Sequence, residues 1–114
     1  LEVAIRQWGN LAGMVSGLYT SNYKLISKCL VDEVVEPYRA MLIPEFYNLK
    51  KAAVDSGALG SGISGSGPSV FALAKGHEVA EKVSISMKKV MKPYNIEIET
   101  YVSKINPVGV KVIS

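Results

Sequence analysis

From Leu1 to Leu18 the apolar residues Leu1, Ile5, Trp8, Ala12 and Val15 recur at spacings of four, three, four and three. That recurrence predicts one stripe of an amphipathic helix. Ser21 suits the N-cap of a short helix ending near Leu30. Asp32 suits the cap of another short turn, which Pro37 is expected to interrupt. Pro44 suits the first position of the next helix, with Glu45 in its first turn. Phe46, Leu49 and Ala53 then line one face, and Gly57 supplies a left-handed stop.

The second half changes character. The runs 58–64 and 69–74 flank Gly65-Ser66-Gly67-Pro68, and the second, Ser-Val-Phe-Ala-Leu-Ala, reads as a buried strand. Ala80, Val83, Met87, Val90 and Met91 mark a further amphipathic helix that Pro93 ends. Ile96, Ile98, Thr100 and Val102 alternate with Glu97, Glu99, Tyr101 and Ser103, the period of a half-buried strand. Val108, Val110 and Val112 repeat the pattern after Asn106-Pro107. The order is helices, then helix-strand-strand-helix-strand-strand. The expected class is α+β: a two-layer, ferredoxin-like sandwich with an antiparallel sheet and additional N-terminal helices.

The chain has 114 residues, enough for one compact domain spanning 1–114, with no repeat or linker. Its 48% apolar and 20% charged content are ordinary for a globular fold. The charge of +3 is mild and its signs are interspersed, which argues against nucleic-acid binding. No apolar run approaches the ~20 residues of a membrane span, so no membrane partner is expected. Cys29 is the single cysteine, which excludes an intrachain disulfide and suits the cytoplasm. It reads as a small core hydrophobe. The start, Leu-Glu-Val-Ala-Ile-Arg, has neither an initiator Met nor a signal pattern and reads as an excised piece.

Chemistry concentrates between Gly57 and Ser69, which hold five of the ten glycines. Glycine is costly in conformational entropy, so such density requires close approach or positive φ. Successive exposed amides there would suit a phosphate or carboxylate, with Ser61, Ser64, Ser66 and Ser69 as further donors. No Lys-Ser/Thr follows, so this is not a Walker loop. The bare G-x-G-x-x-G spacing of Gly60, Gly62 and Gly65 is coincidental, because a strand follows it. The plainer alternative is a ligand-free glycine hairpin, against which the length of the run argues.

Gly-Ser-Gly-Ile-Ser-Gly-Ser-Gly-Pro-Ser-Val-Phe-Ala-Leu resembles the third signature motif of GHMP kinases, and in its Ile-Ser-Gly-Ser-Gly-Pro form the homoserine kinases among them. Asp32-Glu33-Val34-Val35-Glu36-Pro37-Tyr38-Arg39, with Leu42-Ile43-Pro44 and Phe46, is similar to the stretch that precedes that motif at the same spacing. The resemblance implies the C-terminal domain of an enzyme that moves the γ-phosphoryl of ATP to the hydroxyl of L-homoserine in threonine biosynthesis. It implies further that an N-terminal domain outside this chain binds ATP and Mg²⁺, and that the fragment alone is inactive. A homodimer stands as an open partner expectation. The alternatives are a stand-alone amino-acid-sensing module of ferredoxin-like form and another GHMP small-molecule kinase.

Under that resemblance Arg39 is the candidate for the substrate carboxylate, which a planar guanidinium holds in two bonds. Its competing reading is a surface arginine paired with Glu36 or Asp32. Ser64, Gly65, Ser66 and Gly67 are the candidate loop contacts. His77 reads as a helix-start surface residue rather than a base, and no catalytic residue or metal ligand is assigned. Trp8 and Tyr19 read as core or domain-interface aromatics.

Overall fold

The computed structural model describes residues 1–114. Helix α1 spans Glu2–Thr20, α2 Tyr23–Cys29, α3 Glu36–Arg39 and α4 Phe46–Asp55. Strand β1 (Gly60–Ile63) and strand β2 (Val70–Leu73) follow, then α5 (His77–Met91). Short 3₁₀ turns extend α3 over Ala40–Leu42 and α5 over Lys92–Tyr94. The architecture is α+β with an antiparallel pair, Gly60 opposite Leu73 and Ile63 opposite Val70.

The apolar stripe of α1 faces outward. Leu1, Ile5, Trp8 and Val15 are exposed, and Trp8 and Tyr19 are 62% and 88% accessible. The inward side carries Ala4, Gln7, Asn10, Gly13, Met14 and Gly17 instead. Glycines make this possible, because α2 crosses too closely for side chains. A Cβ on Gly13 would run into Cys29 Sγ, and one on Gly17 would sit 2.8 Å from Ile26 Cγ1. Placement of the two aromatics in a core is therefore overturned: steric access, not hydrophobicity, selects the packed face.

Helix ends also differ from expectation. Ser21 does not start α2; it closes α1 in a left-handed conformation with φ 52°. Asn22 is the N-cap, its Oδ1 accepting from the Leu25 amide at 3.1 Å. Pro37 does not break the turn after Asp32 but lies inside the first turn of α3, where a missing amide leaves no bond unmade. α4 begins at Phe46, and Glu45 caps it with φ 57° rather than joining its first turn.

The main core lies between α4, α5 and the hairpin. Leu49, Ala53, Ala58, Val83, Met87 and Met91 are buried together, with Val70 and Ala72 packed against them. A smaller cluster of Ala40, Ile43 and Phe46 contacts Ile63 and Val70. The expected strands over 96–102 and 108–112 do not form. Ile96, Ile98, Thr100 and Val102 are half-buried and their neighbours exposed, as the alternation requires, yet the stretch joins no ladder. Ser84 Oγ and Thr100 Oγ1 meet at 2.8 Å and tie it to α5. Val108, Val110 and Val112 are exposed. Period-two patterning selects a face, but a strand forms only where its backbone also pairs with a neighbour. No helix is long and apolar enough to cross a membrane.

Candidate functional site

Asp32 organises the segment that leads to the site. Its Oδ1 accepts from the Val34 and Val35 amides at 2.9 and 2.8 Å, and its Oδ2 from the Glu36 amide at 3.0 Å. Partial burial alone would raise its pKa. The amides of Val35, Val34 and Glu36, with the nearby Lys50 charge, more than offset that burial and hold the carboxyl below its ordinary 3.8. These bonds place the start of α3, and Arg39 ends it one turn later.

Arg39 extends to the glycine-rich loop. Its Nη1 donates to the Ser66 carbonyl at 2.7 Å. It pairs with neither Asp32 nor Glu36, so the competing surface-pair reading does not describe it.

The loop itself is a hairpin turn. The Ser64 amide donates to the Ser69 carbonyl at 2.8 Å, and the Gly67 amide to the Ser64 carbonyl at 3.2 Å. Gly65 and Gly67 hold φ of 62° and 83°, the left-handed region that favours glycine. A side chain at Gly65 would meet nothing within 4 Å, whereas one at Gly67 would stand 3.3 Å from Ile43 Cδ1. The Gly65 and Ser66 amides donate to no backbone group, and Ser64, Gly65 and Ser66 are not buried. The structure thus brings Arg39 to the loop at Ser66, and Ser64, Gly65 and Gly67 belong to the same turn. A guanidinium is bonded to a turn that carries two amides without a backbone acceptor, an arrangement that suits an anion. Ser61, by contrast, is buried, its hydroxyl donating to the Phe71 carbonyl at 2.7 Å.

This constellation lies on the surface, with Arg39, Ser64, Gly65 and Ser66 all exposed. One cleft, of about 180 Å³, lies between α1 and β1, bordered by Gln7, Asn10, Asp32, Glu36 and Gly62. Another, of about 520 Å³, lies between α4 and α5. Neither includes Arg39 or residues 64–67. The chain brings no three His, Cys, Asp or Glu side chains together in a way that would hold a metal ion. His77 is exposed at the start of α5, its Nε2 3.2 Å from Glu81 Oε1.

Sequence reasoning missed a buried ion pair. Glu36 is 6% exposed, and its Oε1 accepts from Lys50 Nζ at 2.6 Å. Nothing in the pattern signals this, since Lys50 lies fourteen residues on, in α4.

The chain belongs to the GHMP kinase family: residues 14–93 match its domain described as GHMP kinases C terminal. Within that family the proteins it is similar to are homoserine kinases. That of Chlorobium phaeobacteroides is 46% identical over 99% of this chain and 36% of the relative. That of Chlorobaculum tepidum is 43% identical over 100% of this chain and 36% of the relative. The crystal structure of homoserine kinase from Cytophaga hutchinsonii superposes with a TM-score of 0.90 at 49% identity, covering 93% of this chain and 34% of that one. The chain spans about a third of the length of the proteins it matches.

Proposed function

We propose that this chain forms the substrate-side, C-terminal part of a cytoplasmic, ATP-dependent homoserine kinase. The enzyme transfers the γ-phosphoryl group of ATP to the side-chain hydroxyl of L-homoserine, giving O-phospho-L-homoserine on the route to threonine. The observation that carries the reading is the bond from Arg39 Nη1 to the Ser66 carbonyl, which holds a guanidinium against a loop with open amides. Arg39 retains free N–H groups for the carboxylate of the amino acid. The Gly65 and Ser66 amides and the Ser64 hydroxyl face the transferred group, and Gly67 shapes the turn.

Phosphoryl transfer depends chiefly on positioning and charge neutralisation, so a loop and a guanidinium are useful without a base. The residues present suit an anionic group but offer no cluster for Mg²⁺. On this reading ATP and its metal are held mainly by an N-terminal GHMP domain, which also covers the exposed loop. The Mg²⁺ would supply charge neutralisation on the phosphates. On this reading the 114-residue chain has no turnover of its own.

The test is a coupled ADP-release assay with homoserine, run on a full-length enzyme carrying this sequence and on the chain alone. Turnover by the first and none by the second is expected. Turnover by the isolated chain, or a full-length enzyme that ignores homoserine, would overturn the reading. Tight homoserine binding by the chain alone in calorimetry would favour an amino-acid-sensing module instead.

A further inference from the structure

α3 is a single turn of four residues, too short to hold its own geometry. Its direction is set by what grips it from outside. Asp32 fixes the start through three amides. Glu36 and Arg39, three apart, lie on neighbouring positions of one face. Glu36 is gripped by Lys50, and its second oxygen, Oε2, is buried without a hydrogen-bond partner in the chain. Lys50 is thus the sole counter-charge to a buried carboxylate.

Lys50 is itself well anchored. It sits in α4 between Leu49 and Ala53 of the main core and Phe46 of the second cluster. Its Nζ lies 5.9 Å from the centre of the Phe46 ring. A buried ion pair is a poor source of net stability compared with apolar packing, but losing one partner strands the other charge, so the pair enforces one arrangement. Lys50 is only 25% exposed at its side chain and bonds Glu36 rather than the loop.

We propose that Glu36 and Lys50 are positioning residues: the ion pair locks α3 onto α4, directs Arg39 to the Ser66 carbonyl, and so sets the affinity for the amino acid's carboxylate. This rests on the proposed kinase function and deepens it. Lys50 and Glu36 bond each other and neither bonds Arg39 or the 64–67 turn, so the pair's effect on the carboxylate runs through the placement of Arg39. It is therefore selective between the two substrates: homoserine depends on it, and ATP does not.

Steady-state kinetics of the full-length enzyme carrying Lys50→Met, Lys50→Arg and the double change Glu36→Gln with Lys50→Met test this. Lys50→Met is expected to raise KM for homoserine about tenfold or more, while kcat and KM for ATP stay within about twofold. Lys50→Arg, which keeps the charge, restores most of the affinity. The double variant removes the stranded charge, so it folds even where Lys50→Met does not, yet it keeps the raised homoserine KM. An unchanged homoserine KM in the folded double variant overturns the proposal, as does an equal loss in both substrates' KM values. An inactive parent enzyme would instead sink the kinase reading, so the two failures are distinguishable.

Discussion

Arg39 and Ser66 lie twenty-seven residues apart and meet through one bond, Nη1 to the main-chain carbonyl at 2.7 Å. The carbonyl accepts, so the guanidinium is steered by the loop while its remaining N–H groups stay free. The same bond fixes the Ser66–Gly67 peptide unit, next to the turn's open Gly65 and Ser66 amides. Arginine and loop therefore act as one unit, and disturbing either is felt by the other.

Under the proposed function, Arg39→Lys in the full-length enzyme should raise KM for homoserine about tenfold or more, with kcat less affected. An ammonium lacks the planar fork, so it cannot hold Ser66 and a carboxylate in the same geometry. A bond to a charged group is worth about 1.5–3 kcal/mol, which corresponds to roughly ten- to hundredfold. Kinetics unchanged from the parent enzyme would remove Arg39 from the substrate site.

The glycines of α1 make opposite predictions within one helix. Gly9 is exposed, and a Cβ placed there would meet nothing within 4 Å, so Gly9→Ala should stabilise by up to about 1 kcal/mol through helix propensity. Gly17→Ala gains the same propensity but places its Cβ 2.8 Å from Ile26 Cγ1 and 3.1 Å from the Ile26 amide nitrogen. Backbone cannot step aside as a side-chain tip can, so the second variant should be destabilised. Thermal unfolding of the pair reads the sign directly, and shifts in the same direction would refute the close α1–α2 crossing.

Asp32 should make stability pH-dependent in acid. Its folded pKa lies below the ordinary 3.8, so its contribution is complete above that value and is lost as pH falls through the lower folded one. Asp32→Ala should cost about 1–2 kcal/mol at neutral pH, as loss of a helix cap does. Urea unfolding at pH 7 and below pH 4 should show the gap between wild type and Asp32→Asn narrowing in acid. A gap that stays constant would mean that charge plays no part in the three amide bonds.

The elements whose burial is decided locally are legible in the sequence. Phe46, Leu49 and Ala53 line α4 as their spacing requires, Gly57 ends it with φ 110°, and the run around Gly65 makes a hairpin between two strands. Arg39 and the loop are paired by resemblance, which carries information that periodicity lacks. Lys50 is invisible to pattern reading because an ion pair across two helices leaves no periodic trace. The strands at 96–102 and 108–112 do not form for another reason: alternation specifies which side faces the protein, not which backbone the stretch pairs with.

The outward stripe of α1 gives the strongest test of the fold. Ile5, Trp8, Leu11, Val15 and Leu18 are each 45% or more exposed, a contiguous apolar surface of the kind that drives association. The purified chain should therefore self-associate reversibly, and sedimentation velocity should show a concentration-dependent shift. Replacing Ile5 by Lys and Trp8 by Glu together should abolish that shift while changing the unfolding free energy by only about 0.5 kcal/mol, since exposed side chains contribute little to folding. Were the stripe a core face, as its spacing suggests, the same two charges would unfold the chain. A doubly substituted protein that loses its helical circular dichroism would show that α1 packs by its apolar side after all.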